Sequence, residues 1–172
     1  RICTSNVKNE TGKCTYTHML NKDGGIEVDL TVVCLGYNHF RIISSAATRE
    51  RDKFHINKHL SKDVELKDVT DDYCVFGLFG PKSRDLIKSI SKDNFDNDNF
   101  KFGRAKNITI NGIQIWAQRL SYVGELGYEL YVKFDDAKKI YELLIEKGKD
   151  FNLSNCGMHA MDIMRMESGF LH

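Results

Sequence analysis

Apolar positions fall in short runs broken by turn residues. Cys14 to Leu20 is one such run, ending at Asn21-Lys22-Asp23-Gly24-Gly25, and Ile26 to Leu35 resumes with β-branched residues. Gly24-Gly25 between two such runs predicts a hairpin, because both positions accept positive φ without a Cβ clash. Phe40 to Ile43 reads as a further strand after a turn at Gly36-Tyr37-Asn38. Thr48 is an N-cap candidate, and Arg49 to Leu60 places Phe54, Ile56 and Leu60 at helical spacing. Val64 to Val69 alternates apolar and polar residues, the period of a strand.

Cys74 to Phe79 is a nearly continuous apolar run. Gly80-Pro81 then opens a helix from Lys82 to Ile90, where the missing proline N–H does no harm. Ser91 to Asn99 is polar and acidic and predicts an exposed, solvated loop. Arg104 to Ile110 and Ile113 to Leu120 flank Asn111-Gly112, a strong short-range hairpin signal. Tyr128 to Val132 is a strand, and Asp135-Asp136 starts a helix to about Lys147. Its acidic start and the following Gly148 suit the helix dipole and a glycine C-cap. A last helix, Met158 to Glu167, carries Met158, Met161, Ile163 and Met164 on broad apolar faces. Two strand–strand–helix cycles recur without repeat by identity. The class predicted is α+β with mostly antiparallel sheets and packed helices.

Composition narrows the function. The 172 residues hold 25 Lys+Arg against 24 Asp+Glu, a net charge of +1, so no general attraction to nucleic acid is expected. Ten Phe, seven Tyr and one Trp argue against disorder, and one Pro against a proline-rich linker. No stretch approaches the ~18 apolar residues of a membrane span. The chain opens Arg1-Ile2-Cys3 without Met or signal pattern and closes on Phe170-Leu171-His172 after a helix, which predicts an internal piece of a longer chain. Cys3, Cys14, Cys34, Cys74 and Cys156 are odd in number and widely spaced, so reduced thiols in a cytoplasmic setting (the mitochondrial matrix in a eukaryote) are expected. Cys34 and Cys74, inside apolar runs, read as buried inert thiols.

Chemistry is sparse. His55 and His59 stand at i, i+4, but without the glutamate of H-E-x-x-H they read as a solvated face, and no metal site is predicted. Gly77, Gly80 and Pro81 lack the Gly-Lys-Ser/Thr of a phosphate loop. The segment Ser121 to Leu130 differs: Gly124 and Gly127 bracket Glu125, with Tyr122 and Tyr128 on either side. Glycines let backbone approach a flat ligand, and tyrosines offer apolar faces with polar rims. A carboxylate there can accept two parallel hydrogen bonds from an amidine-like edge such as a pterin's. A tight turn with a surface glutamate is the other reading.

Tyr122-Val123-Gly124-Glu125-Leu126-Gly127-Tyr128-Glu129 resembles the Y-x-G-E-x-G-Y/W-E signature of the glycine-cleavage T-protein (aminomethyltransferase) folate-binding family. Tyr16 to Ile26 resembles its Y-x-x-M-L-N-x-x-G-G-I/V segment, Ala47 to Asp52 its A-T-R-E-K-D helix start, and Gly77 to Pro81 its G-P corner. Gly157 to Phe170 resembles G-x-x-A-x-D-x-x-R-x-E-x-G-[FY]. The match runs from Gly12 to His172. Met161 and the Phe170-Leu171-His172 ending look closer to the C-terminal folate domain of dimethylglycine and sarcosine dehydrogenases. So does Ile26-Glu27-Val28-Asp29-Leu30, where T-proteins read G-G-I/V-x-D-D-L and Val28 replaces the aspartate usually taken as catalytic.

The resemblance implies a T-protein-like folate-binding domain with ferredoxin-like sub-domains, incomplete at both ends. Residues 1–70 would be part of the first sub-domain and 71–172 the second, with the C-terminal barrel and any FAD domain absent. It implies tetrahydrofolate as cofactor, with FAD confined to a missing upstream domain of the same parent chain. Glu125 would hold the pterin edge, Tyr16 and Tyr122 would line the ring, and Arg165 would contact folate or pair with Asp162 or Glu167. Asp29 would serve the folate nitrogen as it captures a one-carbon unit from an iminium or formaldehyde, giving 5,10-methylenetetrahydrofolate. The implied partners are folate and a unit derived from a small methylated amine, with no nucleic acid or membrane. A true aminomethyltransferase working on a lipoyl carrier protein, or a non-catalytic folate-binding or assembly domain, are the alternatives.

Overall fold

The computed structural model describes residues 2–170. Contacts divide the chain into two compact units, Arg1–Asp68 and Val69–His172.

In the first unit β1 (Cys14–Leu20), β2 (Ile26–Gly36) and β3 (His39–Ser44) form an antiparallel sheet in that order. The glycine-rich turn joins β1 to β2 as expected, with Gly24 at φ 82°. The Asn21 amide oxygen accepts from the Asp23 and Gly25 N–H groups at 3.0 and 2.8 Å, so a side chain closes the turn. One face of the sheet buries Met19, Val28, Leu30 and Val32 with Ile56 of α1 (Arg49–Lys58), and Ile42 and Leu66 pack at its rim.

Two expectations here need correction. Thr48 precedes α1 but caps no backbone N–H; its hydroxyl donates to the buried carboxylate of Asp52. Val64 to Val69 forms no strand. It has the alternation but no partner edge, and Asp68 is held instead by Arg49 at 3.0 Å and Lys53 at 3.3 Å. Period two allows pairing; only a neighbouring strand can supply it.

In the second unit the sheet order is β4-β7-β6-β5, all antiparallel, with β4 Tyr73–Phe79, β5 Arg104–Ile110, β6 Ile113–Arg119 and β7 Gly127–Lys133. Asn111 (φ 48°) and Gly112 (φ 79°) make the two-residue turn between β5 and β6, both in the left-handed region such a hairpin requires. Leu78, Ile108, Ile115, Ala117, Tyr128, Leu130 and Val132 line one face and bury against α2 (Ser83–Ile90) and α3 (Phe134–Gly148). β4 is an edge strand, so Cys74 is half-buried rather than enclosed.

The helix after Gly80-Pro81 begins at Ser83, so the proline lies in the turn before it. Gly148 is no left-handed cap: α3 runs through it into a short 3-10 turn, and Asn152 takes φ 59° instead. A Cβ on Gly148 would meet Leu153 at 2.5 Å, so its smallness serves packing. The 91–99 loop is polar but not merely solvated. Phe95 is fully buried, edge-on to Tyr128 at 5.8 Å and tilted against Phe100 at 6.1 Å, while Asp93 accepts the Thr109 N–H at 2.6 Å. A single aromatic anchor among eight polar neighbours carries no periodic signal. α4 (Met158–Glu167) has no buried residue, and Met158, Ile163 and Met166 are exposed.

Candidate functional site

On β2 the alternation of the strand decides which carboxylate can act. Val28 is fully buried among Met19, Leu30 and Ile56. Asp29, one residue on, lies on the opposite face, exposed and with no side-chain hydrogen bond among the described residues. In the β1–β2 register His18 stands opposite Asp29, and Tyr16 opposite Thr31, so all four share that face. Tyr16 is 62% exposed; its hydroxyl is 3.3 Å from His18 Nε2, and the two rings meet edge-on at 5.2 Å. A carboxylate at position 28 would be cut off from water in an apolar cluster, at a cost of several kcal/mol if ionised. The Val28 departure therefore leaves the open face with its carboxylate intact.

In the second unit the turn between β6 and β7 is built on the end of α4. Ser168 Oγ donates within hydrogen-bonding distance of the Val123 and Met164 carbonyls, 3.0 Å each. Gly124, at φ 74°, passes so close that a Cβ would lie 2.2 Å from that hydroxyl. Gly127 abuts Phe79, 2.2 Å from where its Cβ would stand. The Leu126 carbonyl accepts from Gly80 N–H at 2.8 Å and Ser83 Oγ at 3.2 Å, which ties the turn to the Gly-Pro corner. Both motif glycines are thus required by close packing of the turn.

Tyr122 and Arg165 are brought together. The Tyr122 ring stacks on Phe170 at 6.4 Å and 10°, and the guanidinium carbon of Arg165 lies 6.0 Å from its centroid. Arg165 Nε donates to Asp162 Oδ1 at 3.1 Å and a terminal nitrogen to the Phe170 carbonyl at 3.0 Å. Of the partners left open by sequence, Asp162 is the one it takes, and the arginine clamps the end of α4. Glu125 stands outside this cluster, exposed and without a hydrogen bond among the described residues.

Glu129, the last residue of the same motif, is more enclosed than Glu125. Glu129 sits on β7, an interior strand, on the face turned away from α2 and α3, between Gly77 of β4 and the fully buried Gln118 of β6. Tyr131 donates to its Oε2 at 2.7 Å. Burial pushes its carboxyl above the usual range, and the Tyr131 bond opposes this only in part. A half-buried, oriented carboxyl with a perturbed pKa is a site candidate on physical grounds. The alternation Tyr128, Leu130, Val132 against Glu129, Tyr131 was the signal that could have found it.

Among the described residues no group of three or more His, Cys, Asp or Glu is placed to hold a metal ion. His59 Nδ1 turns to the His55 carbonyl at 2.8 Å. No helix among the described residues is long and apolar enough to cross a membrane.

The fold matches part of a solved structure. The crystal structure of glycine cleavage system aminomethyltransferase T from Bartonella henselae matches 99% of this chain and 45% of its own, with TM-score 0.81 and 20% identity, which defines the fold as T-protein-like. The chain belongs to the GCVT N-terminal domain family, matched over residues 1–172. It is 34% identical to an aminomethyltransferase of Halothermothrix orenii over 99% of this chain and 47% of the relative. It is also 31% identical to human mitochondrial dimethylglycine dehydrogenase over 96% of this chain and 20% of the relative. The chain thus spans about half the length of the first relative and a fifth of the second, and it is related to both enzyme types.

Proposed function

We propose that this chain is the tetrahydrofolate-binding, one-carbon-transfer domain of a dimethylglycine or sarcosine dehydrogenase-like enzyme. It would capture an iminium or formaldehyde unit to form 5,10-methylenetetrahydrofolate. The observation that carries this is Asp29, the open-face carboxylate beside Tyr16, on a strand whose preceding position is locked in the core. When bound, tetrahydrofolate supplies the nucleophilic nitrogen. Asp29 would accept the proton that this nitrogen sheds. Tyr16, on the open face with Asp29, is an aromatic face this reading assigns to the ring.

For the pterin edge Glu129 is preferred to Glu125. An amidine-like edge is read by two parallel bonds to a carboxylate held in one orientation and shielded from water. Glu129 is half-buried on a rigid strand and oriented by Tyr131, whereas Glu125 is exposed. Donation from such an edge favours the ionised carboxylate that burial alone disfavours. Arg165, already paired with Asp162, acts by holding Phe170 and Tyr122 in place. Any FAD chemistry belongs to a separate domain of the same parent chain.

The aminomethyltransferase reading, with a lipoyl carrier protein as partner, has one observation in its favour. Position 28 faces the core, so valine there removes no carboxylate from the open face. The test is a tetrahydrofolate titration of the intact protein that carries this chain, read by calorimetry, with Glu129→Gln and Glu125→Gln alongside. A loss of ten-fold or more with Glu129→Gln, about 1.4 kcal/mol, and little change with Glu125→Gln supports the assignment. The reverse pattern returns the pterin edge to Glu125. No saturable binding by the unaltered protein sinks the folate reading.

A further inference from the structure

Each of the two sheets has two edge strands, and three of these four edges are guarded. β1 is bridged by Cys3 at Met19, β3 carries Arg41, and β5 carries Arg104 and Lys106 and is bridged by Ser91 at Ile110. β4 has none of these devices. It pairs with β7 over its seven residues without a register shift, and no charged residue or proline stands between Tyr73 and Phe79. In an antiparallel pair every second residue turns its N–H and C=O away from the partner strand. Among the described residues, the backbone groups of Cys74 to Phe79 that turn away from β7 meet no donor or acceptor. Apolar surface flanks the same edge on both sides of the sheet. Val75 is 51% exposed on the face turned away from α2 and α3. On the other face the Phe76 ring lies 5.9 Å from that of Tyr141 on α3, which is itself 39% exposed. An uncharged, unbulged edge with open backbone groups is a template for another strand, which is why proteins blunt the edges they leave bare.

We infer that the outer edge of β4 is a pairing edge, filled by an extended apolar strand from another part of the same protein. The occupant follows from charge and supply. An edge without charge gives no counter-ion to a charged strand, whose ionised groups would lose water for nothing, so the partner is uncharged. A strand in the same polypeptide arrives at the high effective concentration that linkage provides. The aminomethyltransferase of Halothermothrix orenii, 47% of which this chain covers, has about as much chain again to supply one. The incoming backbone would take up the open N–H and C=O groups of β4. Its side chains would cover Phe76 and Tyr141 on the helix side and Val75 on the other. Gly77 stands opposite Glu129 and has no side chain, so the new strand would also form the wall on that side of the carboxyl.

The test is amide hydrogen exchange in the intact protein that carries this chain, resolved by mass spectrometry with electron-transfer fragmentation, with Val75→Lys alongside. The outward amides between Cys74 and Phe79 should exchange within about ten-fold of their inward neighbours, whatever the protein concentration. Val75→Lys places a charge on the edge and should speed the outward amides about ten-fold or more, while the inward ones, held by β7, change less than about three-fold. Because Val75 is half-exposed, the variant should keep the fold, checked by circular dichroism. Outward rates about a hundred-fold or more above the inward ones in the unaltered protein would mean an open edge and overturn the inference. Protection that disappears on dilution, in step with loss of a dimer in sedimentation, would overturn the intramolecular strand and assign the edge to a second copy.

Discussion

Replacing Gly124 by alanine puts a methyl group where Ser168 already stands. The added Cβ would lie 2.2 Å from Ser168 Oγ and 2.6 Å from its Cβ, while the Ser168 Cα at 3.9 Å is at ordinary contact distance. Three costs follow. The left-handed backbone, φ 74°, costs an alanine about 1 kcal/mol more than glycine. Displacing the hydroxyl from the Val123 carbonyl costs about 1 kcal/mol. Moving the end of α4 loosens the Tyr122–Phe170 stack, worth about 0.5–1 kcal/mol. Gly124→Ala should therefore destabilise the chain by roughly 2–3 kcal/mol. The decisive measurement is a double-mutant cycle with Ser168→Gly, which deletes both colliding atoms. In that background only the backbone cost remains, so the coupling should be about 1–2 kcal/mol in the compensating direction. Urea unfolding followed by Trp116 fluorescence reads all four corners. Effects that add within about 0.5 kcal/mol would refute the claim that this glycine exists for the sake of α4.

Val28→Asp should destabilise the protein by several kcal/mol, because it buries a carboxylate among Met19, Leu30 and Ile56, whereas Asp29→Asn should leave stability within about 0.5 kcal/mol. Equal thermal shifts for the two would reverse the assignment of faces. Glu129 gives a pH test. Its carboxyl titrates above the usual range, so the folded state holds its proton more tightly than the unfolded chain. Stability from the neutral carboxyl is full below the ordinary glutamate pKa, about 4.3, and is lost as pH rises through the raised value. Glu129→Gln removes that loss, so its melting temperature relative to the unaltered protein should climb from acid to neutral pH. A difference constant with pH would show that burial does not perturb this group.

Much of the architecture follows from local pattern, and the reason is physical. Turn chemistry acts over two or three residues, so Gly24-Gly25 and Asn111-Gly112 announce their hairpins, and the alternation around Val28 and Leu130 states which side chains share a face. The family motifs likewise located the turn at Gly124 and the helix carrying Arg165. What the chain could not state by itself is what lies beside each element. Val64 to Val69 has the period of a strand and no partner. Phe95 sits among polar neighbours, yet Tyr128 and Phe100 draw it inside. Arg165 had two acidic candidates, and the end of α4 selected Asp162. Glu125 and Glu129 stand in one motif. Only the interior position of β7, with a neighbour on each side, buries the second and leaves the first in solvent. Local periodicity sets direction, and non-local pairing sets environment; charge, burial and proton affinity depend on the environment.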